Sequence, residues 1–141
     1  MLGQSLFIWN VRGLNSQARR DVVRQFFVQE RLSIVCLVET KIDVLRPLMV
    51  SDLMGTTFDY VCLPAAGASG GIIVAWRRDV WSSSGHDCRR FSVTVRLQQT
   101  SSSIQPWSLS TVYGPVDDRL KPEFLDELKE VHAACPGPLL I

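Results

Sequence analysis

FIWNVRGLN, residues 7–15, begins as a buried strand and changes character within one turn. Phe7, Ile8 and Trp9 are apolar; Asn10 follows, then Arg12, Gly13 and Asn15. An asparagine in that place can hydrogen-bond the backbone of the coming turn. It can equally present an amide to a ligand beyond the end of a sheet. The stretch alone leaves both readings open, and the pattern on either side of it decides the fold class.

Working outward, strand and helix alternate. Residues 5–11 read as a strand, and Asn15 or Ser16 caps a helix over roughly 16–31. Its apolar face pairs Val22 with Phe26 and Val23 with Phe27, while Arg19, Arg20 and Arg24 point elsewhere. SIVCLVETK (33–41) is a continuous apolar strand, the kind covered on both faces. A short helix over 43–54 stops at Gly55. FDYVCLP (58–64) and IIVAWRR (72–78) are strands around the small-residue loop AAGASGG (65–71), which reads as a flexible hinge. It lacks the Gly-Lys-Ser/Thr ending of a phosphate-binding P-loop. SSGHD is read as a loop. In RRFSVTVRLQ (89–98), Phe91, Val93, Val95 and Leu97 alternate with Ser92, Thr94 and Arg96, as on a half-exposed antiparallel strand. WSLSTVYGP (107–115) is a further strand after a polar loop. Asp117 or Asp118 opens a helix over roughly 119–134, with Phe124, Leu125, Leu128 and Val131 inward and Glu123, Glu127 and Glu130 outward. CPGPLLI (135–141) then begins a new apolar run.

The length, 141 residues, suits one domain with a real core. A net charge of +1 excludes a strong bulk field toward nucleic acid or membrane, so any anion site is local. No apolar run is long enough to span a bilayer, and Met1 to Leu6 lacks the features of a secretory signal. Cys36, Cys62, Cys88 and Cys135 show no metal-binding spacing and read as reduced core thiols of an intracellular protein.

Three strands end on unusual polar groups: Asn10, Glu39 and Tyr113. Glu39 closes the run Ile34 to Val38, where a carboxylate needs a cation, donors or water. A salt bridge to Lys41 or an arginine would satisfy it. So would a hard metal: Mg²⁺ takes oxygen ligands and is often held by one or two carboxylates, with water and phosphate completing its shell. Asn10 could support such a site, and Tyr113 could donate to a phosphate.

WNVRGLNS, IVCLVETK, SGGIIVAW and TVYGP, in this order and spacing, resemble the endonuclease/exonuclease/phosphatase family. More narrowly, they resemble the apurinic-type endonuclease domain of LINE elements, the plant non-LTR retrotransposons in particular. The resemblance implies a four-layered α/β sandwich of two packed sheets with helices outside, and cleavage of phosphate esters with Mg²⁺ or Mn²⁺. It implies that Asn10 helps position metal and phosphate, that Glu39 binds the metal and that Tyr113 contacts the phosphate. Arg12 and Lys41 become weaker candidates for phosphate or DNA contact. DNA as the partner and action in the nucleus also rest on the resemblance, since no basic import run is visible.

The chain departs from the family pattern in two ways. Val38 stands where members commonly carry glutamine before the metal glutamate, which bears on support of that ligand. The family's Gly-Asp-x-Asn motif and Ser-Asp-His ending do not occur within residues 1–141, and His86 and His132 do not replace them. Residues 1–141 are therefore expected to be a single incomplete domain, about the N-terminal half of the sandwich, with little or no nuclease activity alone. Ile72, Val74, Val93 and Val95 are expected to be partly uncovered, and the exposed half-core to self-associate. The alternatives are a non-enzymatic remnant or binding module, and a phosphatase of the same superfamily. Paired arginines, Arg19-Arg20, Arg77-Arg78 and Arg89-Arg90, read as solvated surface before they read as phosphate contacts.

Overall fold

The computed structural model describes residues 5–29, 32–66, 70–101 and 103–141. Two four-stranded sheets pack face to face with helices outside both. This gives the four layers that the resemblance implies.

The first sheet has the order β1 (Ser5–Asn10), β2 (Leu32–Val38), β4 (Ile72–Arg77), β3 (Phe58–Leu63). Helix α1 (Gln17–Gln29) is the crossover that lets β1 and β2 run parallel. Ser16 caps it: its Oγ accepts the N–H of Arg19 at 3.2 Å. The other pairs in this sheet are antiparallel. Helix α2 is shorter than expected, Pro47–Met54, because Pro47 fits a first helical turn and Gly55 ends it.

Strand β2 shows why its sequence is apolar throughout. Val35 and Leu37 point to the helix layer, where they meet Val23, Phe27, Leu53, Ile73 and Ala75. Ile34, Cys36 and Val38 point to the second sheet, where they meet Ile72, Val74, Trp76, Val93, Val95 and Leu97. Fully burying one such side chain contributes about 1.5–3 kcal/mol, and all seven residues of β2 are buried.

The second sheet runs β5 (Trp81–Cys88), β6 (Ser92–Gln99), β7 (Trp107–Val112), β8 (Leu139–Leu140), antiparallel except for β7 with β8. A 3₁₀ turn, Asp118–Leu120, with Asp117 capping it, leads into α3 (Lys121–Ala134). The segment SSGHD is strand rather than loop. Its polar side chains are exposed along an edge, and backbone pairing to β6 overrides its turn-like composition.

Several expectations are corrected by the packing. Ile72, Val74, Val93 and Val95 are at most 1% exposed, because the two sheets cover each other's inner faces. Among the described residues, exposed apolar side chains at the open edges include Ile8 on β1, Tyr60 on β3, and Leu140 and Ile141 at β8. Ser92 and Thr94 are buried rather than half-exposed. Glu127 of α3 is buried on the same polar face, and Leu125 is turned outward. In α1, Val22 is exposed, while Arg20 is buried and donates Nη1 to the carbonyls of Leu14 (2.9 Å) and Asn15 (2.8 Å). Arg20 is thus a structural tie and not a phosphate contact. Arg77, Arg78, Arg89 and Arg90 each pair with an acid of the chain. Of the four cysteines, only Cys36 is buried and Cys88 is exposed; burial pushes the Cys36 and Cys62 thiols up to about 11.

Candidate active site

Parallel pairing of β1 with β2 places Asn10 directly opposite Val38, so Asn10 and Glu39 leave the sheet at the same end. The chain then turns sharply. Asn10 Oδ1 accepts the N–H of Arg12 at 3.2 Å, the local backbone bond that asparagine makes well. The bland reading of Asn10 is therefore realised, and it does not conflict with a place at the site.

Beyond the strands, hydrogen bonding between the two loops continues without a break. Val11 N–H reaches the Val38 carbonyl (3.1 Å), Gly13 N–H that of Glu39 (2.8 Å) and Leu14 N–H that of Thr40 (2.8 Å). The Asn15 side chain donates to the Lys41 carbonyl at 2.7 Å. On the other flank, Thr40 and Lys41 donate their N–H groups to the carbonyls of Gly71 (3.1 Å) and Gly70 (2.9 Å). The turn that carries Glu39 is thus clamped from both sides. Gly70 and Gly71, read from sequence as the end of a flexible hinge, form one jaw of the clamp; residues 67–69 of that loop lie outside the described residues.

Backbone geometry marks the same place. Arg12, Glu39 and Lys41 have φ of 53°, 59° and 58°, and they are the described non-glycine residues with positive φ. Each costs about 1–2 kcal/mol relative to an ordinary conformation. Strain of this kind persists where surrounding structure over-determines it, and it gathers at functional sites. All three candidates of charged type sit on two adjacent turns.

Tyr113 comes from the other sheet. Its N–H bonds the Phe91 carbonyl at 3.0 Å at the end of β7, and its side chain lies close enough to the Glu39 carboxylate for the two to interact. Desolvation, with the nearby Glu39 carboxylate, raises the Tyr113 hydroxyl above its ordinary range. The protonated form is therefore favoured in the folded state. Its contribution to stability is fully present below the unfolded tyrosine value near 10 and is lost as pH rises through the folded value. We expect ultraviolet titration to show one tyrosine ionising late. Glu39→Gln should bring that transition back toward the ordinary value, and an unchanged titration would refute the contact.

Glu39 also pairs with Lys41, but at 3.8 Å and partly exposed, a pair worth less than about 1 kcal/mol. The donor set is hard: a carboxylate from Glu39, with the amide of Asn10 at the neighbouring strand end. Among the described residues no three His, Cys, Asp or Glu side chains gather at one place. Glu39 and Asn10 therefore fit Mg²⁺ or Mn²⁺ as part of a shell that water and a phosphate oxygen would complete. His86 and His132 are exposed on β5 and α3. Sequence reasoning missed Thr40, Asn15 and the Gly70-Gly71 jaw. Their role lies in backbone bonds between segments distant in the chain, and the signal was limited to the glycine pair.

Comparison with known proteins bears on the family and the fold. Residues 8–139 match the model of the Endonuclease/Exonuclease/phosphatase family. No curated protein sequence matches the chain. Among solved structures, it is similar to a conserved protein of unknown function from Enterococcus faecalis V583 (TM-score 0.66, 16% identity, 90% of this chain and 60% of that one). It is also similar to the AP endonuclease of Leishmania major (TM-score 0.62, 21% identity, 88% and 46%). A third is humanized D. rerio TDP2 (TM-score 0.63, 16% identity, 91% and 57%). At these identities the likeness is one of fold. The chain spans between 46% and 60% of the length of these structures.

Proposed function

The chain belongs to the Endonuclease/Exonuclease/phosphatase family, and from that premise we propose that it carries part of a Mg²⁺-dependent phosphodiester endonuclease site that nicks DNA, of the kind found in plant non-LTR retrotransposons. The observation that carries this reading is the meeting of Tyr113 from one sheet with Glu39 from the other, beside Asn10 at the adjacent strand end.

In this reading Glu39 holds the metal, with Asn10 in support. Bound Mg²⁺ supplies Lewis acidity toward a phosphate oxygen and offsets charge in the transition state. Tyr113, kept protonated, donates its hydroxyl to a phosphate oxygen. Arg12 and Lys41, on the strained turns, are the weaker candidates for contact with the phosphate backbone. Among the described residues no group is placed to orient the attacking water or to protonate the leaving oxygen, and on this reading residues 1–141 alone are expected to have little or no nuclease activity. Losing such groups costs several orders of magnitude in rate. Self-association, where it occurs, uses the β1 and β8 edges with Ile8, Leu140 and Ile141.

The test separates metal binding from turnover. Added Mn²⁺ should broaden the amide signals of Asn10, Glu39 and Tyr113, and Glu39→Gln should abolish the effect. In the same preparation, supercoiled plasmid should stay intact with Mg²⁺ as well as in an EDTA control. Absence of broadening at millimolar Mn²⁺ would leave a binding module or remnant. Nicking lost in Glu39→Ala would refute the proposed inactivity.

A further inference from the structure

We infer that Asn15 is a positioning residue for Glu39, acting through the Lys41 carbonyl, and that buried Arg20 anchors it from the helix layer. This rests on the metal reading of Glu39 above. The turn Glu39-Thr40-Lys41 carries two left-handed residues, with φ of 59° at Glu39 and 58° at Lys41. Backbone in that region keeps its shape only where surrounding structure holds it. The Glu39 and Thr40 carbonyls accept the N–H groups of Gly13 and Leu14, and the Thr40 and Lys41 N–H groups go to Gly71 and Gly70. Those bonds are all backbone to backbone. The Lys41 carbonyl differs, because it accepts a side chain, Asn15 Nδ2 at 2.7 Å. The exit of the strained turn is thus held by an amide that one substitution removes, with every backbone bond left in place.

Asn15 holds the turn only as well as Asn15 itself is held. Arg20 of α1 is 8% exposed and spreads its guanidinium over the loop before the helix. Nη1 donates to the carbonyls of Leu14 (2.9 Å) and Asn15 (2.8 Å), and Nη2 to Gln17 Oε1 at 3.3 Å. Nε faces the Asp52 carboxylate of α2 at 3.4 Å, so the buried charge is paired. Leu14 is bonded on both sides, its N–H to Thr40 and its carbonyl to Arg20. A path of polar contacts therefore runs from α2 through Arg20 and Asn15 to the turn that carries Glu39. An arginine fork spans several acceptors at once, and a lysine ammonium of the same charge does not present that fork. Arg19 braces the facing turn, where its Nη1 donates to the Val11 carbonyl at 3.0 Å. Groups that orient a metal ligand set metal affinity without touching the metal.

The experiment measures Mn²⁺ affinity and the ultraviolet titration of Tyr113 in the folded chain. Asn15→Ala should weaken Mn²⁺ binding at Glu39 roughly tenfold, the lower end of what losing a ligand's support costs. It should also move the late tyrosine ionisation part of the way toward its value in Glu39→Gln. Asn15→Gln keeps an amide donor and should recover most of the lost affinity. Arg20→Lys should weaken Mn²⁺ in the same direction, and joined to Asn15→Ala it should add little, because both act along one path. Ser16→Ala is the control. It removes the α1 cap beside Asn15 and lowers stability, but Ser16 Oγ bonds Arg19 N–H and neither turn, so both readouts should stay at wild-type values. A loop that is only structural would leave Asn15→Ala like Ser16→Ala, less stable with both readouts unmoved, and that result would overturn the inference. So would Asn15→Gln binding Mn²⁺ as weakly as Asn15→Ala. A wild-type chain that binds no Mn²⁺, with a tyrosine titration still dependent on Asn15, would overturn the metal reading and leave the positioning standing. No Mn²⁺ binding and no effect of Asn15 on the titration would overturn both.

Discussion

Gly71→Ala is expected to destabilise the fold by about 3 kcal/mol or more and to disturb the turn that presents Glu39. Two costs add at this position. Gly71 has φ +95°, where a Cβ is strained, and a Cβ there would fall well inside contact distance of Thr40 Oγ1 and 3.2 Å from the Lys41 nitrogen. Thr40 is fully buried and its Oγ1 accepts the Ile42 N–H at 3.3 Å, so it has little room to yield. The Gly71 carbonyl also holds the Thr40 N–H, so movement on this side reaches the clamp. Gly70→Ala is the control. Its φ is +80° but its Cβ would meet nothing within 4 Å, so it should lose only the backbone term, about 1–2 kcal/mol. Urea denaturation of the two variants checks the difference. Equal losses would show that the Thr40 contact relaxes freely.

Glu127→Ala is expected to cost about 2–4 kcal/mol, far more than truncation of the other glutamates on α3. The Glu127 carboxylate accepts the Phe91 N–H (3.0 Å) and the Ser92 hydroxyl (2.7 Å) in a buried place. Truncation leaves both donors unsatisfied and opens a void between α3 and the second sheet. Glu123 and Glu130 are exposed and pair with Arg90 and Arg89, so their alanine variants should lose less than about 1 kcal/mol. Glu127→Gln keeps an acceptor and should fall between. Chemical denaturation of the set is the measurement, and a Glu127→Ala loss no larger than that of Glu123→Ala would refute the tie. Because Phe91 bonds Tyr113, the same variant should also shift the Tyr113 amide resonance.

The contrast between Glu127 and Glu39 shows what could be read from the chain. Glu39 was legible because a carboxylate at the end of five apolar residues conflicts with its surroundings, and conflict is a local signal. Glu127 was not legible. Its helical period places it among glutamates on a polar face, and nothing nearby says that the partner sheet presents Ser92 and Thr94. Arg20 was missed for the same reason: its acceptors, Leu14 and Asn15, are backbone carbonyls of a loop. Backbone carbonyls have no sequence. The strand SSGHD was lost because an exposed edge carries no hydrophobic alternation.

The sequence by itself determined the alternation of strands and helices, the doubly covered β2 and the polar strand ends Asn10, Glu39 and Tyr113. These follow from side-chain period and from the cost of stranding a polar group, both local quantities. Tertiary structure decided that the inner sheet faces cover each other, that α3 docks through a buried carboxylate, and that two glycines thirty residues downstream clamp the Glu39 turn. Each of those outcomes depends on which distant backbone or side chain arrives opposite. That is settled by how the layers stack and not by any residue's own preference.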